Sequence, residues 1–249
     1  MSEMPAVEMK GVSFSYNGRP AIEDASFEIP MRDFAGIVGP NGGGKTTLLR
    51  LMLGLLSPSS GEVRVLGHRP ADVVRRIGYV AQGFQYDRSL PISARDVVTM
   101  ALLGKSSAGR HERAMEALER VGMADLADRR FADASAGQQQ RVLIARALAT
   151  DPEMLMLDEP TASLDAAAER EIYALLQELN AQMTIIVVTH DLGFVSNVVR
   201  SVLCVNRQVR RHPTSQIREV TGDYLEEMYG RGRLLVRHDR DFGEAAPRD

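Results

Sequence analysis

The chain contains no tryptophan, a single cysteine and few aromatic side chains of any kind, 5% of 249 residues. One thiol excludes a disulfide framework within the chain. That thiol, Cys204, sits in the apolar run Ser201-Val202-Leu203-Cys204-Val205 and reads as a buried, inert group rather than a nucleophile. Long hydrophobic runs are missing too: stretches such as 185–188 fall far short of the ~20 residues that a membrane-spanning helix needs. The opening MSEMPAVEMK lacks the basic and apolar blocks of a secretory signal. Residence in the cytoplasm is the simplest expectation, with any membrane role exercised through a partner. Positive charge is not in surplus, since the formal net charge is -3, whereas a nucleic-acid binder carries an excess of Lys and Arg. No nucleic-acid partner is expected.

The remaining composition, 44% hydrophobic and 25% charged, is that of an ordinary folded chain and argues against disorder or a fibrous repeat. The length is at the upper end of what one domain holds, so one composite domain is the default. Residues 7–29 alternate apolar and polar positions around Asn17-Gly18, the pattern of half-buried antiparallel strands joined by a turn. The run Glu62-Val63-Arg64-Val65-Leu66 alternates likewise and fits the same small sheet. Three other runs, 34–38, 154–157 and 185–188, are apolar without alternation, as strands covered on both faces of a parallel sheet are. Each ends in polar residues: Gly39 onward, Asp158-Glu159, and Thr189-His190-Asp191. Ligands of open parallel sheets bind at the carboxyl ends of the strands, so these three ends are expected to face one site. Residues 94–149 read as helical, with Ala114, Leu118 and Val121 on one face before Gly122, and so do residues 166–181. From Gly230 the chain is polar and charged and reads as a loosely held tail.

Gly39-Pro40-Asn41-Gly42-Gly43-Gly44-Lys45-Thr46 fits the phosphate loop G-x-x-x-x-G-K-[ST], placed between a buried strand and a helix. Its glycines let backbone N–H groups turn inward around phosphates, while the helix that begins at Lys45 points its positive end at them. Lys45 would neutralise the outer phosphates and the Thr46 hydroxyl would ligate Mg²⁺, which makes ATP and Mg²⁺ the expected ligands. A chance match in a chain this long is about one in a hundred at average residue frequencies. An apolar strand ending in Asp158-Glu159 completes the chemistry: Asp158 is placed to hold Mg²⁺, and Glu159 to orient or deprotonate the attacking water.

These residues resemble the ATP-binding subunits of ABC transporters, over about residues 7–215. Ala134-Ser135-Ala136-Gly137-Gln138-Gln139-Gln140-Arg141 is similar to the family signature, a far more diagnostic motif than a phosphate loop. Gln82 resembles the family's Q-loop glutamine, Ser163-Leu164-Asp165 its D-loop, and His190 its switch histidine. Tyr16 stands where the family stacks an aromatic ring on adenine.

The resemblance implies a P-loop α/β fold: a mostly parallel, RecA-like sheet core with an N-terminal antiparallel β subdomain and an inserted helical subdomain. The core would comprise 1–84 and 151–230, the insertion 85–150 and the charged tail 231–249. Catalytic residues would be Glu159, His190, Lys45, Gln82 and Asp165, and the metal ligands Thr46, Gln82 and Asp158. ATP would be held by Tyr16, Gly39, Asn41, Gly42, Gly43, Gly44, Lys45, Thr46 and Thr47 of one copy, and by Ser135, Gly137 and Gln138 of a second copy packed head to tail. Expected partners are therefore a second copy, integral membrane permease subunits contacted after Gln82, and an extracytoplasmic solute-binding protein if transport is inward. The chain would lie peripherally on the cytoplasmic face of the cell membrane.

Two further stretches, 88–98 and 201–207, together with the 229–239 ending, are similar to the zinc, manganese and iron uptake branch. His238, Asp239 and Asp241 in the charged tail read as solvated charge rather than a metal site. The signature departs from the family pattern at Ala134, usually leucine, and at Ala136, usually glycine. Alanine at 136 is harmless if the position begins a right-handed helix and obstructive if it needs φ > 0. Two rival readings fit less well. A soluble ABC ATPase of repair or translation would carry coiled-coil insertions or a fused second unit; of other P-loop classes, a GTPase would carry an Asn-Lys-x-Asp motif, which is absent, and neither a GTPase nor a small-molecule kinase explains residues 135–141.

Overall fold

A computed structural model describes residues 4–84, 86–103, 109–191 and 198–213. Strands β1 (Val7–Tyr16) and β2 (Arg19–Ile29) are joined at Asn17-Gly18, where both residues have positive φ, 48° and 77°. This is the primed-turn geometry that a two-residue hairpin demands. β4 (Ser60–Val65) pairs with β1, Val7 opposite Val65, and closes a three-stranded antiparallel sheet in the order β2-β1-β4.

The second sheet has the order β5-β6-β7-β3-β8-β9. β3 (Phe34–Val38), β5 (Ile77–Val80), β6 (Met154–Asp158), β7 (Thr184–Val188) and β8 (Ser201–Asn206) are parallel, and β9 (Gln208–Pro213) turns back antiparallel on β8. The absence of alternation in the three central runs has a direct cause. Along β6, Leu155 and Leu157 enter one core while Met154 and Met156 enter another; on β3, Phe34 and Val38 divide from Ala35 and Ile37 in the same way. One core joins the sheet to the three-stranded sheet and α1 (Lys45–Met52); the other joins it to α3 (Ala94–Thr99), α4 (Arg110–Arg120), α5 (Ala136–Leu148) and α6 (Ala166–Asn180). A short α2 (Pro70–Val73) precedes β5.

The stretch expected as helical over 94–149 is broken into α3, α4 and α5. Ser93 caps the start of α3; Gly122, at φ 68°, stops α4, and two single 3-10 turns then carry the chain to the Ser135 cap of α5 rather than through a continuous helix. Strands β5 and β9 were not anticipated: one is only four residues long, and the other is a polar edge strand. Cys204 is buried, and burial pushes its thiol up to about 11, which keeps it protonated and unreactive at neutral pH. The charged tail with His238, Asp239 and Asp241 lies outside the described residues.

Candidate functional site

Parallel strands present their carboxyl ends on one side, so residues far apart in sequence meet there. The loop 39–44 leaves β3 and enters α1 through Gly44, whose φ of 107° is closed to other residues; a Cβ there would lie 2.6 Å from the Ala21 carbonyl oxygen. At Gly39 a Cβ would lie 2.0 Å from the Val205 carbonyl oxygen, a backbone atom of β8 that has no room to retreat. Arg207 N–H donates to the Gly43 carbonyl at 2.8 Å, pinning the loop to the sheet. Lys45 is buried, and its Nζ donates to the carbonyls of Gly39 (2.9 Å) and Pro40 (3.1 Å). The cationic head is thus held over the loop that the backbone N–H groups line.

Above it opens a cavity of about 570 Å³ lined by Tyr16, Asn41, Gly42, Gly44, Lys45, Thr46, Thr47, Gln82 and Glu159. Tyr16 is half exposed at its rim and stands edge-on to Phe14, ring centres 4.8 Å apart, which leaves a face for a planar ligand.

The Thr46 hydroxyl donates to Asp158 Oδ2 at 3.1 Å, bringing two oxygen donors together at the loop. Such hard oxygens suit Mg²⁺. Glu159, next along the chain, has φ 48° and its N–H donates to Val188 O at 3.0 Å, so β6 is turned sharply and the side chain leaves the sheet. Gln82 Nε2 donates to Glu159 Oε2 at 2.8 Å, and His190 Nδ1 stands 4.0 Å from the same oxygen.

The two carboxylates differ in environment. Asp158 is 3% exposed, and burial pushes its carboxyl above the ordinary carboxylate range; the Thr46 hydrogen bond opposes this, the Glu159 charge adds to it, and Lys45 and Arg50 oppose it. An acid whose pKa is raised by folding weakens the fold once ionised: the stability it contributes is complete below its unfolded pKa and is lost as pH rises through the folded value. Asp158→Asn is therefore expected to raise the melting temperature of the nucleotide-free protein at pH 7. The gain should shrink as pH falls and the parent Asp158 takes up its proton. Thermal denaturation of both proteins across that range checks this; a lower melting temperature for the variant at pH 7 would refute it.

Four predicted residues are not brought to this cavity within one chain. Ser135 caps α5 in a reciprocal box: Gln138 N–H donates to Ser135 Oγ (3.3 Å) and Ser135 N–H to Gln138 Oε1 (3.0 Å). Gly137 lies in the first turn of α5, where a Cβ would stand 3.0 Å from that of Ala168. Asp165 caps α6 through the N–H groups of Ala167 and Ala168. Ala136 is the first residue of α5, a right-handed position at which alanine is favoured over glycine.

Sequence reasoning passed over Tyr173. Its buried hydroxyl bonds Thr161 (2.9 Å), Glu169 (3.1 Å) and Thr189, so it braces the segment after Glu159 to the residue before His190; burial pushes it up to about 12. Only its apolar neighbours Ile172 and Leu175 stood out as periodic.

A family model described as ABC transporter matches residues 22–162. The manganese transport system ATP-binding protein MntB of Bacillus subtilis is 38% identical over 246 residues, which covers 96% of this chain and 97% of the relative. The zinc transport system ATP-binding protein TroB of Treponema pallidum is 39% identical over 236 residues, 92% of this chain and 88% of the relative. Among solved structures, a dimeric ATP-binding cassette in a post-hydrolysis state bound to ADP and Pi superposes with a TM-score of 0.71 at 29% identity, covering 84% of this chain and 98% of that one. Among the described residues no helix is long and apolar enough to cross a membrane. With a phosphate loop, paired acids and a capped signature helix on a mostly parallel sheet, the chain belongs to the ABC transporter family, as an ATP-binding subunit whose ATP hydrolysis is coupled to transport.

Proposed function

We propose that this subunit energises uptake of a divalent metal ion, zinc or manganese, and that it works as a head-to-tail homodimer on the cytoplasmic face of the cell membrane. The observation that carries the catalytic part is the convergence of Gln82 and His190 on one oxygen of Glu159, above the loop that holds Lys45. The cargo rests on the relatives named for manganese and zinc transport. The dimer rests on the similar cassette described as dimeric and on Ser135, Gly137 and Gln138 lying outside the chain's own nucleotide cavity.

In this reading the adenine lies on Tyr16, and the phosphates occupy the loop of Gly39, Asn41, Gly42, Gly43, Gly44, Lys45, Thr46 and Thr47. Thr46, Asp158 and Gln82 would hold Mg²⁺, which would offset the negative charge of the outer phosphates. Glu159 accepts the proton of a water that attacks the terminal phosphorus, and the bond to the ADP oxygen breaks. His190 donates a hydrogen bond to the terminal phosphate. Ser135 Oγ, Gly137 N–H and Gln138 of the second copy close the cage, and Asp165 orders the dimer seam next to it. Because closure depends on ATP, ATP acts as a ligand with a large preference for the closed state.

The division into a core of 1–84 and 151–230 and an insertion of 85–150 belongs to this reading, and opening of the dimer is passed to permease subunits through the region after Gln82. An extracytoplasmic solute-binding protein delivers the ion. Deleting the gene in its host tests the cargo: growth should fail on metal-depleted medium and be restored by added zinc or manganese. A defect relieved by an amino acid or a sugar instead would overturn it.

A further inference from the structure

The segment that follows Gln82 and the approach to the signature helix are 40 to 50 positions apart in sequence, yet the fold fastens them together. Phe84 stacks on Tyr86 (ring centres 5.8 Å, planes 22° apart), and Tyr86 meets the buried Phe131 edge-on at 4.9 Å. Arg130 donates to the carbonyls of Arg88 (2.7 Å) and Ser89 (3.1 Å), and Arg88 donates back to that of Ala132 (3.4 Å).

At the centre is Gln139, one helical turn beyond Ser135. Its Nε2 donates to the Tyr86 hydroxyl (3.0 Å), to Phe131 O (3.1 Å) and to Ala134 O (3.1 Å). Backbone carbonyls only accept, so the amide nitrogen must face them, and its two hydrogens serve three acceptors. One of those acceptors belongs to the residue immediately before Ser135. Another belongs to the segment after Gln82.

We infer that Gln139 is a positioning residue for the ATP-driven reaction: through Tyr86 it makes the segment after Gln82 and the Ser135 end of α5 one rigid piece. A displacement of the first then moves Ser135 and Gly137 as a body. Loss of the amide frees the residues before Ser135 to take other conformations, and each closure of the dimer must order them again. The chemistry at Glu159 is untouched. This inference rests on the proposed reading in which Ser135 and Gly137 engage the ATP of a second copy.

The test uses the full chain carrying Glu159→Gln, with ATP-driven dimerisation followed by sedimentation and ATP affinity by equilibrium titration at concentrations where the protein is monomeric. Gln139→Leu is expected to weaken dimerisation about tenfold or more, with monomer affinity for ATP unchanged. Tyr86→Phe, which keeps the ring cluster and removes only the hydroxyl, should weaken it less. The double variant should be no weaker than Gln139→Leu alone to within about twofold, because both changes break one link.

Dimerisation at parent strength, or strictly additive losses, would overturn the inference. So would a loss of monomer ATP affinity or of melting temperature in step with dimerisation, since that would mark a merely structural role. If the Glu159→Gln parent itself stays monomeric with ATP, the dimer reading fails, and hydrogen exchange on the nucleotide-free chain decides the link. In Gln139→Leu, faster exchange in 86–90 and 131–136 together supports it; faster exchange on one side only overturns it.

Discussion

Glu159→Gln is expected to slow ATP turnover by about 10²- to 10⁴-fold, the range that removal of a positioned general base produces, while ATP binding persists. Glutamine keeps the shape and can still accept a hydrogen bond from Gln82, so the 2.8 Å contact survives the change. An amide oxygen can orient a water but cannot take its proton. ATP should then accumulate between two copies, and size-exclusion runs with ATP and Mg²⁺ should show the variant moving from monomer to dimer. Asp158 is no substitute base: it is 3% exposed, receives the Thr46 hydroxyl and faces the loop instead of the cavity mouth. A Glu159→Gln protein that hydrolyses ATP at the parent rate would remove Glu159 from the mechanism.

Lys45→Ala is expected to lower ATP affinity by at least about a hundredfold. Two charge-assisted hydrogen bonds to phosphate oxygens would be lost, each worth roughly 1.5–3 kcal/mol, and about 3 kcal/mol is already two powers of ten in Kd. The fold should survive, because Lys45 itself lines an open cavity, so that water can enter the space its side chain leaves. Titration with a fluorescent nucleotide and a thermal melt separate the two effects. In the Glu159→Gln background the alanine variant should no longer shift to dimer with ATP. Parent affinity in Lys45→Ala would overturn the assignment of this residue to the phosphates.

Much of the scaffold was legible in advance because local rules govern it. Asn17-Gly18 announces a primed turn, the runs at 34–38, 154–157 and 185–188 announce doubly covered strands, and each of these is where the structure has it. β9 escaped because an edge strand of Gln208, Arg210, Arg211 and His212 has no apolar period; its pairing with β8, with Cys204 opposite Arg210, supplies what the pattern lacks. Residues 94–149 looked like one helical tract because helical periodicity persists within each piece, while breaks between pieces come from local backbone devices, such as Gly122 at φ 68° after α4 and the Ser135 cap with Gln138 before α5. Gln139 stands in the signature-like run 134–141, but its role, like that of Tyr173, was invisible: their partners are Tyr86, 53 residues away, and Thr161 and Thr189, which follow two different strands.

What the sequence by itself determined is chemistry that lives in covalent neighbours. A run of glycines before Lys45-Thr46 permits the backbone conformations that turn consecutive N–H groups inward, and Ser135 caps the helix that starts at the next residue. What only the tertiary structure decided is which of these local devices share a site. Thr46 meets Asp158 across 112 residues, and Gln82 meets Glu159 across 77. Those meetings follow from the strand order β5-β6-β7-β3, which stacks the ends of β5, β6 and β7 beside the loop after β3. Strand order is settled by how two apolar faces are buried against different partners, and no local propensity encodes it. The same packing leaves Ser135 and Gly137 outside their own chain's cavity, since α5 is held on the opposite core by Val142, Ile144 and Leu148.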